Sequence, residues 1–187
     1  MRKLVFVLFV LSFWWAGAAG AGPAPLSLFG VPLKHATRAQ LEGAMDKAGL
    51  TPVQVGKKFW YDIYRVHGQL PGASQLMVGY TKNNRFAVAR YVFPSFMDTG
   101  QVAKVIAMVK DKYGPPSSRT GMAGLGVVTA TWREPGGMEI RVVRGWPETT
   151  TTLSLLNPAM DARMKAQITA EKARRLDIQA RADSNAF

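Results

Sequence analysis

The chain has 187 residues, 48% of them apolar, no cysteine and a formal net charge of +12. That length and composition suit one ordinary globular core and argue against intrinsic disorder. The missing thiol excludes disulfides, a lipid-modified cysteine, a cysteine nucleophile and thiolate metal sites.

Residues 1–21 carry an export pattern. Arg2 and Lys3 precede an apolar run from Leu4 to Trp15, and small residues follow as far as Gly22. That order reads as a signal peptide cleaved after Ala21, within Ala19-Gly20-Ala21, with Ala16-Gly17-Ala18 as the second choice. The alternative is an inner-membrane anchor through residues 4–21, although the apolar run is short beside the ~20 residues a span needs. Cleavage sends the product to the bacterial periplasm or beyond, and removal of two cations lowers +12 to +10. Inside a cell such basicity points to nucleic acid. Export replaces that partner with an acidic envelope protein, a phosphorylated lipid, an anionic glycan or the membrane surface itself.

Residues 22–36 form a lead-in punctuated by proline and glycine. A helix follows, with Thr37 as its cap, Gln40 in capping-box register, and Leu41, Ala44, Met45 and Ala48 at helical spacing. Gly49 stops it and Pro52 keeps it from resuming. Strands are expected at Phe59–Val66, Leu76–Thr81 and Phe86–Phe93, with Leu70-Pro71-Gly72 turning the first pair and Lys82-Asn83-Asn84-Arg85 the second.

The order then begins again. Asp98 is expected to cap a second helix, with Gln101 answering it and Val102, Val105, Ile106, Val109 and Tyr113 forming its apolar stripe. Gly114-Pro115-Pro116 ends that helix, and strands are expected at Gly126–Arg133, Met138–Arg144 and Thr149–Leu156. The interval from Thr37 to Asp98 nearly equals that from Leu76 to Met138, so element order and spacing repeat where residue identities do not. The fold class read from this is α+β: two tandem α-β-β-β units, 37–97 and 98–157, with antiparallel sheet packed on two amphipathic helices. The polar start of Thr149–Leu156 reads as an edge strand open to a partner. Residues 158–187 read as a solvated helical tail, docked at most near its start, laced by the i,i+4 pairs Asp161–Lys165, Glu171–Arg175 and Asp177–Arg181.

Catalytic spacings are thin. His35 and His67 match no metal-ligand pattern, and no Ser sits in G-x-S-x-G. Gly121–Gly126 leads into a strand, whereas a phosphate loop opens a helix. No cofactor or metal is expected. The strands instead carry Arg65, Arg90, Arg141 and Arg144, and Trp146 follows the last of them; arginine and tryptophan are what interfaces favour. Arg90, Arg141, Arg144 and Trp146 are the candidate binding residues. Trp60 and Trp132 read as core.

The helix ending in Asp111-Lys112-Tyr113-Gly114-Pro115-Pro116, followed by strands carrying Thr131-Trp132, resembles a pattern of small bacterial envelope proteins. The duplicated layout is similar to the beta-lactamase-inhibitor-protein-like fold, which includes the small outer-membrane-protein assembly lipoproteins. The likeness covers mainly residues 98–133 and, by element order, 37–156; the chain departs from the lipoproteins in lacking the lipidated cysteine. The resemblance implies a protein-binding module and carries over no site residue. The expected function is therefore an exported, non-enzymatic binding module contacting a protein or anionic envelope component through a basic strand surface. The alternatives are a small hydrolase of cell-wall or lipid substrates and a structural subunit of an envelope assembly.

Overall fold

The computed structural model describes residues 25–66, 68–95, 98–147 and 150–184. The expected signal segment and His67 lie outside them. A tiny hairpin opens the described chain, β1 (Ser27–Leu28) and β2 (Val31–Pro32), and Phe29 and Gly30 both take positive φ to make its turn. Its purpose is burial: Leu26, Leu28 and Leu33 all enter the main core.

The first helix, α1 (Arg38–Lys47), forms as its sequence dictates. Thr37 and Gln40 close a reciprocal capping box, and Gly49 takes φ 73° just past the last turn. Four strands follow where three were expected: β3 (Thr51–Gln54), β4 (Tyr61–Arg65), β5 (Gln75–Tyr80) and β6 (Phe86–Phe93). Asn84, at φ 54°, turns the β5–β6 hairpin.

The second round repeats that order: α2 (Gln101–Tyr113), β7 (Ser118–Thr120), β8 (Val128–Glu134), β9 (Met138–Arg144) and β10 (Thr151–Leu156). Val102, Val105, Ile106 and Val109 are buried, as the stripe requires. The cap differs from expectation. Gly100 occupies the N-cap, Asp98 accepts the Gly100 N–H at 2.8 Å, and Gln101 is drawn away to the Ser95 hydroxyl. Ser95 Oγ also accepts the Thr151 N–H at 3.0 Å, so Gln101 serves the start of β10 instead of its own helix.

All eight long strands form one antiparallel sheet in the order β3-β4-β5-β6-β10-β9-β8-β7. Each repeat contributes four consecutive neighbours, and their last strands meet in the middle, where Tyr91 faces Leu153. The expectation of an open edge at Thr149–Leu156 is overturned, because β10 is paired on both sides. The true edges are β3, where Pro52 removes one donor, and the three-residue β7.

Helices α1 and α2 cover one face of the sheet. Leu41 and Met45 from α1 and the α2 stripe share a core with Leu76, Val78, Trp132, Ile140, Val142 and Leu153. Trp132 is 2% exposed and its Nε1–H donates to the Gly114 carbonyl at 2.9 Å, pinning β8 to the end of α2.

The last helix, α3 (Pro158–Ser184), crosses the opposite, outer face. Met164 is fully buried against Ala87, Val88 and Leu156, with Met160, Ile168 and Tyr61 around it. The helix lies so close that a Cβ on Gly79 would stand 2.9 Å from the Met164 sulfur and 2.8 Å from the Tyr61 ring, so only glycine fits there. Past Ile168 the helix leaves the sheet: Leu176 and Ile178 are each 57% exposed, and two of the three i,i+4 ion pairs form there, the third, Asp161–Lys165, lying on the docked part. The tail is thus docked near its start and solvated beyond.

Candidate functional site: the outer sheet face

Alternation along each strand sends every second side chain to the outer face. The register then fixes which of them line up. One row across six strands reads Ile63, Met77, Arg90, Ser154, Arg141, Thr131. The row beside it reads Arg65, Gln75, Val92, Thr152, Val143, Thr129. The third, Tyr61, Gly79, Val88 and Leu156, lies under α3. Among the described residues no element packs over the first two rows.

Arg90 and Arg141 flank Ser154 from the two neighbouring strands, one from each repeat. Two strand spacings put their backbones roughly 10 Å apart. Arg141 donates to Glu139 two residues earlier on its own strand, with Nε 3.0 Å from Oε1. Arg90 has no ion-pair partner among the described residues, and Arg65 and Arg133 add exposed positive charge to the same face. Four arginines thus stand against Glu139, interleaved with half-buried Ile63, Met77, Val92 and Val143. The surface is flat, mixed and basic.

Two of the four candidate residues lie elsewhere. Arg144 is a correction: it shares the inward parity of Met138, Ile140 and Val142, and it is 2% exposed on the helix-covered face. Its Nε and Nη1 lack hydrogen-bond partners among the described residues. Trp146 is 60% exposed in the turn after β9, off the sheet face. Arg65, a strand arginine in the sequence reading but not one of the four candidates, joins this face, as its parity with Ile63 on β4 indicates.

A second cluster ties α1 to the sheet and was not foreseen. Arg38, in the first turn of α1, is 4% exposed, and Asp62 on β4 is wholly buried. Arg38 Nε lies 3.3 Å from Asp62 Oδ2, an ion pair without a hydrogen bond between these two atoms, while Nη2 donates to the Phe59 carbonyl at 2.6 Å. The guanidinium sits 4.4 Å from the centre of the Tyr80 ring. Desolvation pushes the Asp62 carboxyl from 3.8 up to about 6, against the pull of the Gly56 N–H and of Arg38, with nearby Glu42 pushing it further up. Burial likewise raises the Tyr64 and Tyr80 hydroxyls above the ordinary phenol range. Carboxylates and phenols do converge here, but Asp62 is sealed beneath α1, and the arrangement is that of a structural clamp.

A third feature marks the seam between the repeats. A cavity of about 320 Å³ lies between the β1–β2 hairpin and α2, walled by Leu28, Phe29, Leu70, Met108 and Leu155. Tyr91 also lines it, its hydroxyl pushed up to about 12 by burial. Among the described residues no three His, Asp or Glu side chains converge as a metal would need, and no helix is long and apolar enough to cross a membrane.

The fold and site together define a mixed α+β protein with, among the described residues, three α-helices and one large antiparallel sheet. No protein-family description and no curated protein matches the chain. Among solved structures it is similar to a DUF4309 family protein, YjgB, from Bacillus subtilis subsp. subtilis str. 168, at 18% identity and a TM-score of 0.43. That match covers 71% of this chain and 87% of the other.

Proposed function

We propose that the protein is an exported, non-enzymatic binding module of the bacterial envelope, whose outer sheet face docks an acidic surface of another protein. The observation that carries this reading is the row Arg90–Ser154–Arg141 on a sheet face that no other element covers among the described residues. Flat surfaces with arginines set among half-buried apolar side chains have the anatomy of protein interfaces. A small-molecule site is instead concave. The export pattern of residues 1–21 and the net positive charge support an acidic partner in the periplasm, with cleavage after Ala21. The layout resemblance to envelope-assembly proteins points the same way.

The test is charge reversal. Arg90 is half-buried and Arg141 exposed, so Arg90→Glu with Arg141→Glu leaves the helix-covered core intact. The double variant is expected to weaken the partner complex at least about tenfold, because like charges then face each other across the interface. In-cell crosslinking followed by mass spectrometry reads both the partner and the mature N-terminus, expected at Gly22. Capture of the same partner in the same yield by the double variant contradicts the assignment.

A further inference from the structure

A basic trough runs beside the outer face, between the β3–β4 loop and α3. Its inner end is a cavity of about 310 Å³, where Arg38, Lys57, Lys58 and Lys82 converge with Thr81 and Asn84 of the hairpin turn. Its outer end is a cavity of about 430 Å³ that adds Lys172 and Arg175 from α3. The two share Lys58, Phe59, Trp60 and Glu171, so they form one continuous depression. Their sizes fall within or above the lower part of the range that takes small ligands.

The charge balance of this trough is one-sided. Six cations line it, and the one carboxylate among the lining residues, Glu171, is already paired with Arg175. Lys57, Lys58 and Lys82 have no ion-pair partner among the described residues and are exposed. They are nonetheless held close together by the fold. The Lys82 N–H donates to Gln167 Oε1 at 2.9 Å, fixing the hairpin against α3, and Lys58 Nζ sits 4.9 Å from the centre of the Phe59 ring. At the back, Arg38 is held rigid by Asp62 and by the Phe59 carbonyl. Tyr80, on the same wall, is 1% exposed and its hydroxyl has no hydrogen-bond partner among the described residues. Concentrating like charges around a concavity is unfavourable unless an anion offsets it.

We propose that this trough binds a phosphate-type oxyanion, with the phosphoryl oxygens at Lys57, Lys82 and Arg38 and the rest of the ligand passing Trp60 toward Lys172. The chemistry suits both a soluble phosphorylated molecule and a phospholipid headgroup, since each presents the same oxygens. The exposed lysine ammoniums supply the charge, and the half-buried Trp60 and Phe59 supply an apolar side wall.

The test titrates the purified protein at physiological ionic strength with pyrophosphate by calorimetry. Flotation with phosphatidylcholine vesicles carrying phosphatidylglycerol runs alongside it. Binding of at least one probe is expected, weakened at least about tenfold by Lys57→Glu with Lys82→Glu. The same charge change on α2, Lys104→Glu with Lys110→Glu, is expected to leave it nearly unchanged, as is Arg90→Glu with Arg141→Glu on the outer face. Pyrophosphate binding alone assigns a soluble ligand, and vesicle binding alone assigns a headgroup. Failure to bind either probe, or equal loss in all three double variants, overturns the proposal in favour of diffuse charge. The substituted lysines are exposed, so an unchanged unfolding midpoint certifies the variants.

Discussion

Arg38→Ala is expected to cost about 3–5 kcal/mol of stability at pH 8, the range seen when one partner of a buried ion pair is removed. The change strands the Asp62 carboxylate, which is wholly buried, and deletes the bond to the Phe59 carbonyl and the contact over Tyr80. Its pH dependence is the sharper signature. Folding raises the Asp62 pKa above its unfolded value, from 3.8 to about 6, so the folded state takes up the proton first. This group therefore contributes stability that is fully present below the unfolded pKa and is lost as pH rises through the folded one. Without Arg38 the folded pKa moves higher still, so the loss starts at the same unfolded pKa but continues to a higher pH. The cost of Arg38→Ala is thus expected to shrink clearly between pH 8 and pH 5, measured by urea unfolding of both proteins. A cost that is equal at the two pH values would refute this account of the clamp.

Ser154→Pro is expected to be the most damaging single change on the outer face, costing at least about 3 kcal/mol, while Ser154→Ala stays under about 1 kcal/mol. Ser154 sits in β10, which is flanked by β6 and β9, so proline removes a ladder donor and crowds a neighbour with no room to move. Because β6 and β10 join the two repeats, the loss is expected to be global and to appear as one cooperative transition at a lower urea midpoint. Tolerance of Ser154→Pro would mean that the strand pairing at the centre of the sheet is wrong. The chain itself illustrates the contrast, since the proline described within the large sheet, Pro52, stands on the edge strand β3.

Local features of this fold were legible in the sequence, and non-local ones were not. The capping box at Thr37, the stop at Gly49, the α2 stripe and the two hairpin turns each rest on a few adjacent residues, and each is found. β3 and β7 escaped notice because they are four and three residues long and almost wholly exposed, leaving no alternation to read. The position of β10 escaped for a different reason. Its threonines look like an edge, yet Thr151 points inward, where its backbone N–H meets Ser95, and Thr152 and Ser154 belong to an outer face that mixes polar and apolar side chains. Strand order depends on which partners lie beside a strand, and one strand's composition does not encode that.

The candidate site divides in the same way. Alternation alone sends Arg141 outward, and the pairing register brings it to Arg90 across Ser154. Alternation carried to the end of β9 also sends Arg144 inward. The sequence reading instead grouped Arg144 with Trp146 as binding residues at the end of the strand. The clamp at Arg38 and Asp62 was invisible for another reason. The two residues lie on different elements, and only the packing of α1 onto β4 makes them neighbours.

The most direct test of the outer face as the binding surface is site-specific photo-crosslinking in living cells, with the crosslinker at Thr152 and, as control, at Lys110 on α2. Thr152 lies in the open row next to Arg90 and Arg141, whereas Lys110 is exposed on the opposite side of the molecule. The account requires a discrete adduct from Thr152, its loss when Arg90→Glu and Arg141→Glu are added, and no matching adduct from Lys110. An adduct from Lys110 alone, or one from Thr152 that survives the charge reversal, would contradict it.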